Sequence, residues 1–153
     1  MRAVVQRVSS ARVEVGSETT GAIDRGLLVY AGFGRGDTDA DRAWLLSKIV
    51  TLRIFPDDSG KMSRSVTDVG GGLLLVSQFT LYADLRRGRR PSFDDAMPPA
   101  EAEAAYDALV REAGATGLRV QTGRFAADMK VTSLNDGPVT IWIDSAVRAT
   151  TAE

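Results

Sequence analysis

The sequence predicts a single α/β domain dominated by a mixed β-sheet or open barrel, with two main helices. Three observations lead there. Its 153 residues are enough for one domain with a real core. Alternating or short continuous apolar runs recur along most of the chain, giving roughly eight strands. Only two segments carry a helical period, one starting near Thr38 and one near Pro98. No internal repeat, linker or low-complexity segment divides the chain. Residues 1–145 are therefore read as one domain and 146–153 as a frayed C-terminal tail.

The elements follow in order. Ala3 and Val5, then Val13 and Val15, alternate as half-buried strands over 2–8 and 11–15 would, joined at Ser9-Ser10. A short strand around 19–23 follows the turn at Gly16. After Gly26, LLVYAGF (27–33) is apolar on successive residues and reads as a central strand covered on both faces. Thr38 and Asp41 have capping-box spacing, and Leu45, Ile49 and Leu52 share one helical face. RIFPDDSGKM (53–62) reads as a strand and a turn. GGGLLLVSQFTLYAD (70–84) is the most apolar segment and reads as another interior strand. A polar loop over 84–98 carries four arginines. Pro98-Pro99 opens the second helix, with Glu101 and Glu103 where the helix dipole favours acids. Tyr106, Leu109 and Ala113 share its inner face, and Gly114 ends it. Short strands near 118–121, 128–134 and 138–144 complete the sheet. Between the last two stands Asn135-Asp136-Gly137-Pro138, turn chemistry throughout.

Composition excludes several chemistries. With no cysteine and no histidine, the chain can build neither a thiolate nucleophile nor a Ser-His-Asp triad. DTDAD (37–41) and PDDSGK (56–61) lack the spacing of a calcium or phosphate loop and fit turns better. No metal and no cofactor is expected. The net charge of −1 announces no nucleic-acid binder, so such binding must come from a local patch. No run approaches a membrane span, and the N-terminus lacks a signal-peptide core, so no membrane partner and a cytoplasmic location are expected.

Four stretches could carry chemistry. VSQFTLY (76–82) sets Ser77, Gln78 and Thr80 among apolar neighbours. Their side chains either satisfy nearby backbone or floor a pocket that holds a carbonyl oxygen as charge develops on it. RRGRRPSF (86–93) is a solvated loop or a phosphate clamp of Arg86, Arg87, Arg89 and Arg90, with Lys61 and Arg64 as extensions. TGRFAADMKV (122–131) offers Phe125 and Met129, as core or as site. NDGPVT (135–140) is a turn on composition alone.

SQFTLYAD, RRPSF, TGRFAADM and NDGPVT occur in this order behind MRAVVQRVSSARVEV. Together they closely resemble the D-aminoacyl-tRNA deacylase family, from Met1 to about Ile143. Ser77-Gln78-Phe79-Thr80 and Gly137-Pro138 are the specific motifs. The resemblance implies a homodimer of that fold that hydrolyses the ester of D-aminoacyl-tRNA and also removes glycine mischarged on tRNA-Ala. It places catalysis at Ser77, Gln78, Phe79 and Thr80, and substrate binding at Phe125, Met129, Asn135, Gly137 and Pro138. It implies a cis Gly137-Pro138 bond, inserted into the partner's site, where its carbonyls crowd the face an L side chain would occupy. The tRNA partner would meet Lys61 and the arginines of the 86–90 loop. An ester is already activated, and the tRNA 2′-hydroxyl beside it could help activate water, so a site lacking histidine suffices. Two other readings stand beside this one: a non-catalytic RNA-binding dimer, and a metal-dependent hydrolase using scattered carboxylates. The absence of histidine weakens the latter.

Overall fold

A computed structural model describes residues 1–148. Its axis is β1 (Arg2–Val15), a single strand where the sequence suggests two. The chain runs through Ser9-Ser10 without breaking because register shifts on its β8 edge absorb the irregularity there. The first half of β1 pairs antiparallel with β3 (Gly26–Gly32), and its second half with β2 (Glu18–Ile23). The opposite edge pairs with β8 (Lys130–Asp144) along nearly its full length. From β3 the sheet continues in parallel through β6 (Gly72–Ser77) to β7 (Arg119–Thr122).

The sheet then curls back on itself. A Cβ at Gly21 of β2 would overlap the backbone oxygen and nitrogen of Thr122 in β7. The missing side chain lets the two strands meet and nearly closes a barrel. The result is a mixed sheet, a nearly closed barrel and two helices in one domain.

Helix α1 (Asp39–Thr51) starts with the expected capping box: the Thr38 hydroxyl accepts from Asp41 N, and the Asp41 carboxylate accepts from Thr38 N. Helix α2 (Pro99–Gly114) carries proline in its first turn, where no N–H is needed. Leu45 and Ile49 of α1, with Tyr106, Leu109 and Ala113 of α2, bury against Ala3, Val5, Leu27, Val29, Leu73 and Leu75. The other face of the same strands turns Leu28, Leu74 and Val76 inward against Val8 and Val13. This is why 27–33 and 72–76 are apolar at successive positions. Each such side chain contributes about 1.5–3 kcal/mol by leaving water.

Besides the unbroken β1, the structure departs from the strands read in the sequence in three places. The strand expected over 70–84 ends at Ser77, and Phe79–Tyr82 is a 3-10 turn. Segment 53–62 becomes a small hairpin, β4 (Phe55–Pro56) with β5 (Met62–Arg64), whose turn is organised by the Asp57 carboxylate accepting from Ser59 N and Lys61 N. The third departure concerns Asn135 to Pro138. They do not separate two strands; they lie inside β8. Opposite them, Gln6 pairs with Thr140 but Val8 with Asn135, so residues 136–139 are pushed out of the ladder as a wide bulge. Of the tail, Ser145–Val147 form a further 3-10 turn, and Arg148 pairs with Asp41 at 3.3 Å. Residues 149–153, the rest of the segment expected to fray, lie outside the described residues. Among the described residues, no helix is long and apolar enough to cross a membrane.

Candidate active site

Strands β3, β6 and β7 are parallel, so their carboxyl ends open on the same side, the usual place for a ligand in such a sheet. A cavity of about 640 Å³ lies there. Each strand delivers a segment to its wall: Phe33 and Arg35 after β3, Ser77 at the end of β6 with Gln78 and Phe79 beyond it, and Phe125, Ala126, Ala127 and Met129 after β7. Met97, Pro98, Pro99 and Ala102, at the entry to α2, close the rest. The volume suits one small group or the end of a larger substrate.

The Ser77–Tyr82 segment is held from behind. Gln78 N donates to Ala31 O at 2.8 Å, the last bond of the β3–β6 edge. The chain then turns, and the Arg2 guanidinium donates to Leu81 O at 3.0 Å while lying 4.4 Å from the Tyr82 ring centre. Tyr82 OH donates to Asp37 at 3.0 Å. Burial, and then the charge of Asp37, push the Tyr82 phenol above its ordinary range, so it stays a neutral donor. On the far wall Tyr106 OH donates to Leu75 O at 2.8 Å, and Gly123 N donates to the same oxygen at 2.9 Å. The Tyr106 ring also backs Phe125, with centroids 6.1 Å apart.

Of the residues singled out in the sequence, Ser77, Gln78, Phe79, Phe125 and Met129 come together around the cavity. Phe79 is 57 % exposed and meets Phe93 edge-on at 4.9 Å, which forms an aromatic ledge at the rim. Thr80 is exposed on the 3-10 turn and does not line the cavity. Its hydroxyl accepts a short hydrogen bond from Gln78 Nε2. Among the described residues no carboxylate or amine contacts that hydroxyl, so it keeps a proton to donate and has no base to take it.

Gly137 and Pro138 are exposed and absent from the wall of this chain's own cavity. Their peptide bond is cis. Gly137 has φ +123°, and a Cβ there would approach Arg7 Nη2 to 2.9 Å, so both conformation and space call for glycine. Arg7 grips the bulge: Nε donates to Asp136 O at 3.2 Å, and Nη1 to Ile54 O at 2.6 Å. Asn135 clamps its neck. In the orientation that pairs both ends of its amide, the nitrogen donates to Arg7 O and Val139 O, and the oxygen accepts from Gln6 and Thr140.

The arginine loop is exposed and lies outside the cavity wall. Arg86 is held by Asp84, and this pairing keeps the Asp84 carboxyl down at about 2. Among the described residues Arg87, Arg89 and Arg90 have no ion-pair partner. Lys61 sits in the β4–β5 turn, bonded through its backbone to Asp57. Among the described residues, no three acidic side chains come together as a metal site would require.

Sequence reasoning missed Phe33, Arg35, Phe93 and Met97. The signal for the first two was present: they follow a fully apolar strand, as VSQFTLY does, and parallel strands end on one side. Arg35 is the only charged side chain on the described wall, and its Nε donates to Asp94 O at 2.6 Å.

Residues 4–144 match the family described as D-Tyr-tRNA(Tyr) deacylase. The chain is 60 % identical to a D-aminoacyl-tRNA deacylase of Sorangium cellulosum, over 95 % of this chain and 97 % of that one. It is 56 % identical to one of Thermotoga petrophila, over 95 % and 98 %. Among solved structures it is similar to the c-Myc DNA unwinding element binding protein, with TM-score 0.89 and 42 % identity, over 94 % of this chain and 98 % of that one. A probable eukaryotic D-amino acid tRNA deacylase shares the fold, with TM-score 0.81 and 18 % identity, over 93 % and 97 %.

Proposed function

Because the chain belongs to the D-Tyr-tRNA(Tyr) deacylase family, a family of hydrolases, we propose that it hydrolyses the ester of D-aminoacyl-tRNA and releases free tRNA. One observation carries this reading: Ser77-Gln78-Phe79, intact in sequence, forms one wall of the cavity at the ends of three parallel strands. Phe79 and Thr80 begin a helical turn, so no carbonyl of that turn takes their backbone N–H groups. Phe79, which lines the cavity, thereby offers a donor of the kind an ester oxygen needs as it gains charge. The Thr80 hydroxyl positions the substrate through Gln78, whose amide it holds and which lines the cavity, and does not attack the ester. The tRNA 2′-hydroxyl assists the attacking water, and no metal takes part.

Rejection of L-aminoacyl groups belongs, in this reading, to Gly137-Pro138 of a second copy. Their exposure on a gripped bulge, outside their own chain's cavity, favours action across a homodimer. A backbone wedge excludes by clash, the appropriate means when two substrates carry the same groups. Glycine has no side chain to clash, so glycyl-tRNA mischarged on tRNA-Ala is a further substrate. Phe125 and Met129 contact the bound end, and Asn135 acts through the bulge it clamps. Arg87, Arg89 and Arg90, with Lys61, meet tRNA phosphates. Residues 1–145 form the deacylase domain, working in the cytoplasm where charged tRNA is used.

The test is to follow ester loss from D-Tyr-tRNA and L-Tyr-tRNA, each with and without EDTA. The expected result is rapid loss of the D ester alone, unchanged by EDTA. Equal rates on both esters would refute the discrimination. Loss of activity on chelation, restored by one added metal, would refute the metal-free mechanism.

A further inference from the structure

Arg35 brings the only charge to the described wall of the cavity, and it is exposed, so it stands at the rim. Its place there is fixed by the segment it meets. Arg35 N donates to Asp95 O at 2.9 Å, Met97 N donates to Phe33 O at 3.0 Å, and Arg35 Nε donates to Asp94 O at 2.6 Å. The guanidinium is therefore held beside the residue that follows Phe93, which lines the cavity and meets Phe79 edge-on.

That bond occupies Nε alone. Among the described residues neither Nη atom has a hydrogen-bond partner, and no carboxylate pairs with the side chain. Asp94 and Asp95 give Arg35 their backbone oxygens, and the Asp94 carboxylate accepts from Ser92 Oγ at 2.8 Å instead. Arg42, by contrast, is spent on Glu112 and Asp39. A guanidinium anchored through one nitrogen, with the other two open, is set to receive an anion through the planar fork that suits phosphate oxygens. The segment it grips is also the end of the loop that carries Arg87, Arg89 and Arg90, so positive charge continues from that loop to the cavity mouth.

The aminoacyl group offers no anion to this arginine. Its ester carbonyl is neutral and its amine is cationic. The nearest anion along the substrate is the phosphate on the 5′ carbon of the same terminal sugar. With the ester in the cavity, that phosphate stays at the mouth, because a charged group is costly to bury.

We propose that Arg35 is a phosphate-binding residue, whose guanidinium receives the 5′-phosphate of the terminal adenosine and so sets how far the ester enters the cavity. The inference rests on the cavity being the substrate site proposed above.

The probe is an amide analogue of the terminal D-tyrosyl-adenosine, with NH in place of the 3′ ester oxygen, so that it binds in place of the ester. It is made with a free 5′-hydroxyl and with a 5′-methyl phosphate, which carries one negative charge as the diester in tRNA does. Each form competes with D-Tyr-tRNA for wild type and for Arg35→Gln. On wild type the methyl phosphate is expected to lower the inhibition constant about ten-fold, as hydrogen bonds to a charged group do. On Arg35→Gln the two forms are expected to inhibit equally, and the 5′-hydroxyl form as well as on wild type. If Arg35 only latched the 94–97 segment, Arg35→Gln would weaken both forms alike and keep their ratio, and the inference would fail. It fails too if wild type cleaves D-Tyr-tRNA yet is inhibited equally by the two forms, or by neither. A wild type inactive on D-Tyr-tRNA refutes the proposed function, and this inference with it.

Discussion

Tyr106→Phe and Tyr106→Ala separate two roles of one side chain. The Tyr106 hydroxyl donates to Leu75 O, but that oxygen also accepts from Gly123 N. Phenylalanine therefore removes one hydrogen bond without leaving a buried acceptor unpaired. The expected cost is about 1 kcal/mol, or about 2–4 °C in Tm for a chain of this size. Alanine removes a ring that is 4 % exposed, at about 3–5 kcal/mol. It also takes away the support behind Phe125, one wall of the cavity. Urea unfolding measures the first quantity, and deacylation well below Tm the second. Tyr106→Phe is expected to keep near-wild-type kcat/KM, and Tyr106→Ala to lose about ten-fold or more, the effect of misplacing a site wall. A loss of about 3 kcal/mol in Tyr106→Phe would show Leu75 O to depend on the hydroxyl, and the reasoning would fail. Full activity in Tyr106→Ala would refute the link from α2 to the site.

Thr80→Ala should retain measurable deacylation, while tRNA ending in 2′-deoxyadenosine should react far more slowly; an acyl-Thr80 species trapped by mass spectrometry would reverse that ordering. Arg89→Gln should weaken binding to every tRNA alike and lower the salt slope by about 1, and Arg86→Gln should do less because Asp84 already neutralises it; filter binding at several salt concentrations decides. The Asp41 carboxyl is held at about 2, first by the Thr38 hydroxyl, below its ordinary 3.8. A depressed carboxyl stabilises the fold fully above its unfolded value and loses that contribution as pH falls through the folded one. Melting from about pH 5 to pH 2 should therefore fall less steeply in Asp41→Asn than in wild type, and parallel curves would deny the capping box this role.

Local pattern revealed most of the fold. Successive apolar residues in 27–33 and in the first half of 70–84 meant interior strands, and β3 and β6 are buried on both faces there. The Thr38–Asp41 spacing located a helix start because capping is a local interaction. What failed was set by distant partners. GGGLLLVSQFTLYAD stays apolar past Ser77, but Arg2, far away in sequence, takes Leu81 O and the chain turns. Asn135-Asp136-Gly137-Pro138 has the composition of a turn, yet β1 pairs on both sides of it and Arg7 holds it out as a bulge. SQFT and Phe125–Met129 were legible as motifs, whereas Arg35 and Met97 join the cavity only through strand order.

Strand β1 pairs with β8 along its length, so the earliest-made strand of the described sheet waits for the latest. Until then it carries an open edge, the kind of surface that invites wrong partners, and closing so long a loop is slow. The same wait governs the machinery. Arg2 steadies the Ser77–Tyr82 segment and Arg7 grips Asp136, so the strand made first holds both the motif at mid-chain and the bulge near the end. A chain cut short during synthesis therefore carries the motif without the bulge. Whatever ester cleavage such a fragment retained would come without the element assigned here to spare L-aminoacyl-tRNA. On that assignment, the described sheet gains its discriminating element only with β8, the last of its strands to be made.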